Sequence, residues 1–329
     1  MRKPVLAAAI LSLGLAAGAA APPSAPFQLA LPLDCTPGRD CLVQNYTDHD
    51  PTPGRRDFAC GPLTYDHHQG TDFRIPDMAA QRRGVKVLAA APGVVLRVRD
   101  GVDDISFRDL PTPVPSNRAC GNGLIIQHAG GWQTQYCHMA RGSLRVHEGE
   151  KVSTGTVLGL VGLSGQTEFP HLHLSVRENK QDVDPFAYGA APGQCNGGRS
   201  LWRPELQAEL RYRPRSVLNA GFADAPLTMP QVEQGNLRAP GAGSDVIVAY
   251  VRAIGLRTGD VQQLVVQGPK GGVIVRQTSP ALARDKAQQL VFAGSRTHGR
   301  WAAGRYSADY RVLNGGAVVL TSSFSINLQ

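Results

Sequence analysis

The chain has 329 residues, 34 of them Lys or Arg against 26 Asp or Glu, for a formal charge of +8, and its 42% hydrophobic content is enough apolar material for more than one packed core. The basic residues are scattered, with no aromatic-interleaved basic stripe, which argues against nucleic acid and for an anionic neighbourhood such as a wall polymer or membrane surface. Beyond the first twenty or so residues no apolar run approaches the roughly eighteen that a membrane helix requires, so no integral membrane segment is expected once the leader is removed.

Residues 1–21 read as a secretory signal: Arg2 and Lys3 form the positive start, Val5 to Ala17 the apolar run, and Gly18 to Ala21 the small residues accepted at a cleavage site. Export to the periplasm or the extracellular space is the expectation, and loss of Arg2 and Lys3 takes the charge from +8 to +6. Residues 22–58 read as an irregular, Pro-containing extension. From 59 to 190 the chain is dense in short β-patterned runs punctuated by glycine, among them "KVLAAAPGVVLRV", "GLIIQH", "WQTQYCH" and "TVLGLVGLSG". The "AGGW" turn at Ala129 to Trp132 predicts a hairpin between two of them. The segment "DGVDDISFRDLPTPVPSNRA" breaks the rhythm with Pro111, Pro113 and Pro115 and reads as a surface insertion.

Residues 191–217 form a Gly- and Pro-containing linker with a short helical patch near Pro204 to Leu210. Residues 218–329 again offer about six strands, from "DVIVAYVRAIGL" to "AVVLTSSFSI". The fold class expected is therefore all-β: an antiparallel β-rich domain followed by a small immunoglobulin-like β-sandwich. The sandwich supplies none of the chemical motifs, so it reads as separable from them. Six cysteines in an oxidising destination predict disulfides. The Pro and Gly of "CTPGRDC" let Cys35 close on Cys41, while Cys60, Cys120, Cys137 and Cys195 allow three connectivities that the sequence does not rank.

Chemistry concentrates in "YDHHQGTDFRI" at Tyr65 to Ile75 and "PHLHLSV" at Pro170 to Val176. A catalytic zinc site generally takes three His or carboxylate ligands and keeps a position open for water. His68 and Asp72 with one of His171 and His173 satisfy that count. Alternate residues of a strand share a face, so one of the paired histidines can bind metal while the other reaches its water. Gly70 lets the backbone pass close to the ion, and His138 in "YCHM" offers an imidazole from another strand. His67 must point away from His68, Tyr65 and Tyr136 read as core residues, and His49, His128 and His147 as solvent or packing residues. "HEGEK" lacks the second His of a helical zinc motif, and "GLSGQ" lacks the closing glycine of a nucleophile elbow.

Three motifs, "HHQGTDF", "YCHM" and "SGQTEFPHLHLS", resemble in order and in glycine-rich setting those of the lysostaphin and LytM-type M23 metallopeptidases. The resemblance spans roughly Gly61 to Pro185 and includes "GNGLIIQH", "VHEGEKVSTGTVLGLVG" and "DVDP". It implies a Zn2+ ion held by His68, Asp72 and His173, with His138 and His171 as catalytic residues that do not bind metal. It also implies hydrolysis of peptide bonds in the stems or cross-bridges of peptidoglycan. His138 or His171 would accept the proton of water while the other serves the oxyanion or the leaving amine. The sequence departs from the family after the paired histidines, where Leu174 and Ser175 replace the usual Phe and Glu, which puts an orienting hydrogen bond in question. Two rival readings accompany this one: a non-catalytic M23-like binding protein that regulates wall amidases, and a zinc endopeptidase acting on protein substrates. Oligomeric state is not legible.

Overall fold

The computed structural model describes residues 26–329, so the leader expected at 1–21 lies outside the described residues. In chain order the elements are β1 (Leu42–Asn45), β2 (Thr71–Arg74), helix α1 (Met78–Arg83), β3 (Lys86–Leu88), β4 (Gly93–Arg99), β5 (Asn122–Gln127), β6 (Trp132–Met139), β7 (Lys151–Val152), β8 (Val157–Leu160), β9 (His171–Glu178) and β10 (Gln181–Val183). There follow α2 (Pro204–Gln207), β11 (Ser216–Ala223), α3 (Met229–Gln234), β12 (Val246–Leu256), β13 (Val261–Gln267), β14 (Val273–Thr278), β15 (Lys286–Arg296), β16 (Gly304–Asn314) and β17 (Ala317–Leu328). Among the described residues no helix is long and apolar enough to cross a membrane.

The first sheet runs β1-β2-β9-β6-β5-β4-β7, with β10 hairpinned onto β9 and every pairing antiparallel. Strands β3 and β8 form a separate two-stranded ribbon. The core on which the sheet lies contains Phe73, Leu124, Ile126, Tyr136, Leu172, Leu174 and Trp202, all essentially inaccessible. Removing each aliphatic or Phe side chain of this set from water contributes about 1.5–3 kcal/mol. The Ala129–Trp132 turn joins β5 to β6, and the Pro-containing insertion between β4 and β5 holds only two short 3-10 turns.

The stretch 22–58, expected to be irregular, does more than link. Leu29, Leu33 and Cys41 sit in the core of the first sheet, and β1 is the edge strand beside β2. The apolar residues of "LVQN" supply the cause: Val43 packs on that core, while Leu42 is buried against Leu218 and Ile254 of the C-terminal domain and Gln44, on the same face as Leu42, accepts from Arg74 at 2.7 Å. All six cysteines pair, Cys35 with Cys41 as expected, and Cys60 with Cys195 and Cys120 with Cys137. Cys60–Cys195 ties the turn before β2 to the segment after β10.

Residues 216–328 form two antiparallel sheets, β11-β12-β15 and β14-β13-β16-β17, closed over a shared core of Val251, Leu264, Val266, Tyr306, Tyr310 and their neighbours. Here β14 pairs with β13, so the strands divide three and four, where a constant-type immunoglobulin domain places its fourth strand on the other sheet. Alternation is clean in β13, whose Gln262, Leu264 and Val266 face inward. Gln262 is tolerated there because its side-chain oxygen accepts the Tyr310 hydroxyl at 2.7 Å.

The sandwich is joined to the first sheet by buried polar groups. Glu233 of α3 accepts from Arg74 of β2 and from Arg252 of β12, and Arg252 also reaches the Pro76 carbonyl just beyond β2. Both arginine side chains are wholly inaccessible.

Candidate metal centre and active site

The centre is built where β2 meets β9. Asp72 lies directly opposite His173, and Arg74 opposite His171, so these four side chains project from one face of the sheet. His68 comes from the turn before β2, bent by His67 in a left-handed conformation (φ 62°) that throws the His67 ring into solvent. His68 Nε2 stands 3.2 Å from Asp72 Oδ1 and 3.1 Å from His173 Nδ1, and His173 Nδ1 is 2.9 Å from Asp72 Oδ1. These three donor atoms converge closely enough that they could hold one metal ion, with His68 and Asp72 buried and His173 partly exposed.

The far side of each donor is held. His68 Nδ1–H donates to the Tyr46 carbonyl at 2.7 Å, which leaves its Nε2 as a lone pair directed at the Asp72 oxygen. Asn45 Nδ2 donates to Asp72 Oδ2 at 2.8 Å. His173 Nε2 contacts Ser175 Oγ at 3.0 Å. Ser175 thereby supplies the partner whose loss the departure from the family pattern put in question. A lone pair, a carboxylate oxygen and an imidazole nitrogen pressed to hydrogen-bond distance repel one another unless a cation or a proton lies between them. A Cβ placed on Gly70 would come within 2.6 Å of His173 Nε2, so that face has room only for glycine. Two imidazoles and one carboxylate, each oriented from behind, suit zinc.

His138 reaches the centre by a different device. Cys137 is the residue of β6 opposite His173, and strict alternation would send His138 to the other face, with Tyr136. Between Asn122–Met139 and Leu124–Tyr136, however, β6 holds one residue more than β5, a β-bulge. His138 occupies the bulge at φ 62°, its N–H donating to the Cys120 carbonyl at 2.8 Å, and its ring lies 4.7 Å from that of His171. A non-glycine residue held there costs about 1–3 kcal/mol. The Cys120–Cys137 disulfide and the close approach at Gly123, where a Cβ would meet the Tyr136 carbonyl at 2.1 Å, hold the bulge in place.

The imidazoles of His138 and His171 have fixed tautomers. His138 Nδ1–H donates to the Ser164 carbonyl at 2.8 Å, and His171 Nδ1–H to the Phe169 carbonyl at 3.0 Å with Thr167 Oγ1 beside it at 3.1 Å. His171 Nε2 faces Asp72 Oδ1 at 3.4 Å. Burial, reinforced by His171 and His173, holds the His138 pKa well below the ordinary imidazole value, and burial likewise outweighs Asp72 in lowering that of His173. For Asp72, burial opposes ionisation, but His68, His171 and the imidazole hydrogen bonds win and keep its carboxyl well below the usual range. Burial also opposes charge on His68, where the Asp72 carboxylate and the Tyr46 carbonyl prevail and raise the pKa. Neutral His138 and His173 each retain a lone pair that a proton or a metal ion could take.

Other residues fall elsewhere. Tyr136 is core, its hydroxyl accepting the Ala90 N–H at 2.8 Å. Tyr65, expected in the core, is 49% exposed, and its ring lies 4.4 Å from that of His68, at the rim of the centre. His128 is buried between the Pro92 carbonyl and Thr134, and His49 pairs with Asp184 of the "DVDP" turn at 2.8 Å. Tyr46 and Asn45 were missed by sequence reasoning, and Ser175 was read there only as a departure from the family pattern. Tyr46 acts through its carbonyl, which no residue type announces, and Asn45 lies in the stretch read as an irregular extension.

The cluster of His68, Asp72 and His173, with His138 and His171 beside it, falls within residues 66–185, which match the family model described as Peptidase family M23. The chain thus carries an M23 peptidase domain. It is similar to the peptidoglycan DD-endopeptidase ShyA of Vibrio cholerae, 32% identical over 106 residues that make up 32% of this chain and 19% of ShyA. It is also similar to the DD-carboxypeptidase/endopeptidase Mpg of Neisseria meningitidis, 33% identical over 125 residues, 38% of this chain and 23% of Mpg. The match therefore spans about a fifth of these relatives' own length. Among solved structures, the catalytic domain of the M23 protein EnpA from Enterococcus faecalis aligns with 50% of this chain and 98% of its own, at 24% identity and a TM-score of 0.34.

Proposed function

We propose that the protein is an exported zinc endopeptidase that hydrolyses peptide bonds in the stems or cross-bridges of peptidoglycan. The observation that carries this reading is the convergence of His68 Nε2, Asp72 Oδ1 and His173 Nδ1 beside two tautomer-fixed histidines. Zinc held by His68, Asp72 and His173 would supply Lewis acidity to a scissile carbonyl and would lower the pKa of water towards about 7. His138 and His171 each commit Nδ1–H to a carbonyl, so each presents Nε2 to the centre. One takes the proton of the attacking water, and the other returns a proton to the departing amine. Tyr65 lines the rim and limits how a peptide enters. The relatives named as peptidoglycan endopeptidases supply the substrate class, and three disulfides among the described residues support an oxidising, exported location.

The test is a set of five variants with metal analysis beside turnover on purified sacculi, released fragments being identified by mass spectrometry. His68→Ala, Asp72→Ala and His173→Ala are expected to lose zinc and activity together. His138→Ala and His171→Ala are expected to keep near-stoichiometric zinc and lose turnover by about 100- to 10,000-fold. Binding of sacculi without any released fragment by the zinc-loaded wild type would favour the non-catalytic reading, and cleavage of proteins alone would favour the protein-directed one.

A further inference from the structure

We propose that Arg74 and Phe169 are positioning residues for His171, and that Glu233 of the C-terminal sandwich holds them in place, so that the sandwich is part of the proton-transfer apparatus. The inference rests on the reading of His171 as a proton-transfer group. Arg74 stands opposite His171 across the β2–β9 pairing, two residues beyond Asp72. Its guanidinium carbon lies 3.8 Å from the Phe169 ring centroid, and the Phe169 ring also touches that of His171, tilted at 48° with 5.1 Å between centroids. Phe169 also provides the carbonyl that fixes the His171 tautomer, and Thr167 Oγ1 donates to the same carbonyl at 2.8 Å.

Three side chains orient the Arg74 fork. Gln44 of β1 accepts at 2.7 Å, whereas Glu233 of α3 at 2.6 Å and Gln288 of β15 at 3.2 Å both belong to the C-terminal unit. Glu233 is itself fixed by Arg252, whose Nε donates to Asn219 at 3.1 Å. Two buried guanidiniums on one carboxylate are a costly way to join two units, since apolar side chains of similar volume would do so as well or better. What the arrangement adds is direction. It fixes the plane of a guanidinium that lies over the Phe169 ring, which in turn touches His171, and a planar fork performs this where Lys would not. Without Glu233 the fork can rotate, Phe169 loses its cation, and the acceptor for His171 Nδ1–H moves with it. A displacement on the order of 1 Å in a proton-transfer group costs up to about 100-fold in turnover.

The experiment uses full-length, zinc-loaded protein. Glu233→Gln and Phe169→Leu are each assayed alone and in the His171→Ala background, with kcat, KM, zinc content and nitrogen NMR of the imidazoles. In the wild-type background each is expected to keep its zinc and its KM, lower kcat by about 10- to 100-fold, and shift the His171 ring nitrogens. In the His171→Ala background neither should lower the residual rate further, because the group they position is gone. Equal losses in both backgrounds, or an unchanged kcat and unchanged His171 nitrogens in a folded variant, would overturn the proposal. If Glu233→Gln fails to fold, Phe169→Leu alone carries the same comparison. Wild-type activity in His171→Ala itself would instead remove the underlying role of His171, an outcome separate from either result.

Discussion

Replacing Gly70 by Ala probes the metal centre without touching a ligand. The added methyl would lie 2.6 Å from His173 Nε2, 2.7 Å from Cε1 of the same ring and 2.7 Å from the Leu174 carbonyl. Reaching ordinary contact requires these atoms to retreat by roughly 0.8 Å or more. The carbonyl belongs to the β2–β9 pairing, so the imidazole yields, and its hydrogen bond to Ser175 is stretched with it. Metal sites tolerate only about 0.2 Å in ligand distances, and disturbing the partner of a bound His alone weakens binding by about 10- to 100-fold. Gly70→Ala is therefore expected to lower zinc affinity by at least about 100-fold while retaining the far-UV spectrum and most of the thermal stability. Gly241→Ala serves as control, because a Cβ there meets nothing within 4 Å. The measurement is chelator competition on purified protein, with melting curves of the metal-free forms. Wild-type affinity in a folded Gly70→Ala would refute the reasoning that this backbone approach shapes the centre.

Two further outcomes follow from side chains away from the reacting atoms. Ser175→Ala removes the contact at His173 Nε2 and is expected to reduce zinc affinity by about 10- to 100-fold with little change in melting temperature; an unchanged affinity would show that Ser175 does not orient the ligand. In the sandwich, buried Asp260 accepts from Arg215 at 2.7 and 2.8 Å, from the Arg257 N–H at 2.8 Å and from Asn314 at 2.8 Å. Burial opposes its charge, but these donors hold its pKa below the usual carboxylate value. A carboxyl depressed on folding contributes stability above its unfolded pKa of about 3.9, and that stability disappears as pH falls through the folded value. Asp260→Asn should therefore cost about 3–5 kcal/mol at neutral pH and flatten the loss of stability below about pH 4, as denaturant melts across pH will show. Parallel profiles for the two proteins would contradict it.

What the sequence made legible was what side-chain identity carries. His68, Asp72 and His173 are rare donor types at spacings that a strand and a tight turn convert into one cluster, and the period of two correctly put His171 and His173 on one face. The same period misleads at His138. One extra residue in β6 reverses its side, and a bulge in "YCHM" leaves no compositional mark beyond the neighbouring glycines and cysteine. Backbone acceptors such as the Tyr46, Ser164 and Phe169 carbonyls are invisible for the same reason, being present at every position. The role of β1 was hidden because four residues flanked by Pro- and Gly-rich loops give too short an alternation to separate from a linker. The clamp of Arg74, Glu233 and Arg252 was hidden because its members lie up to 178 positions apart in the chain and look, one at a time, like solvated surface charges.

The pairing of β2 with β9 joins residues far apart in sequence: 101 positions separate Asp72 from His173, and 105 separate His68 from His173. Contacts of such separation form late, since the chain must first surrender the freedom of the whole intervening loop. His68 and Asp72 lie only four positions apart, so a half-folded chain can present these two donors together, but the third, His173, joins them only when β9 docks on β2. The Cys60–Cys195 bond encloses both strands within a covalent loop of 135 positions and shortens the search once it has formed. On the proposed zinc reading, metal capture would mark completion of the sheet, and because an ion held by all three donors would bind the finished fold in preference to the open chain, zinc concentration would set how firmly that last pairing stays closed.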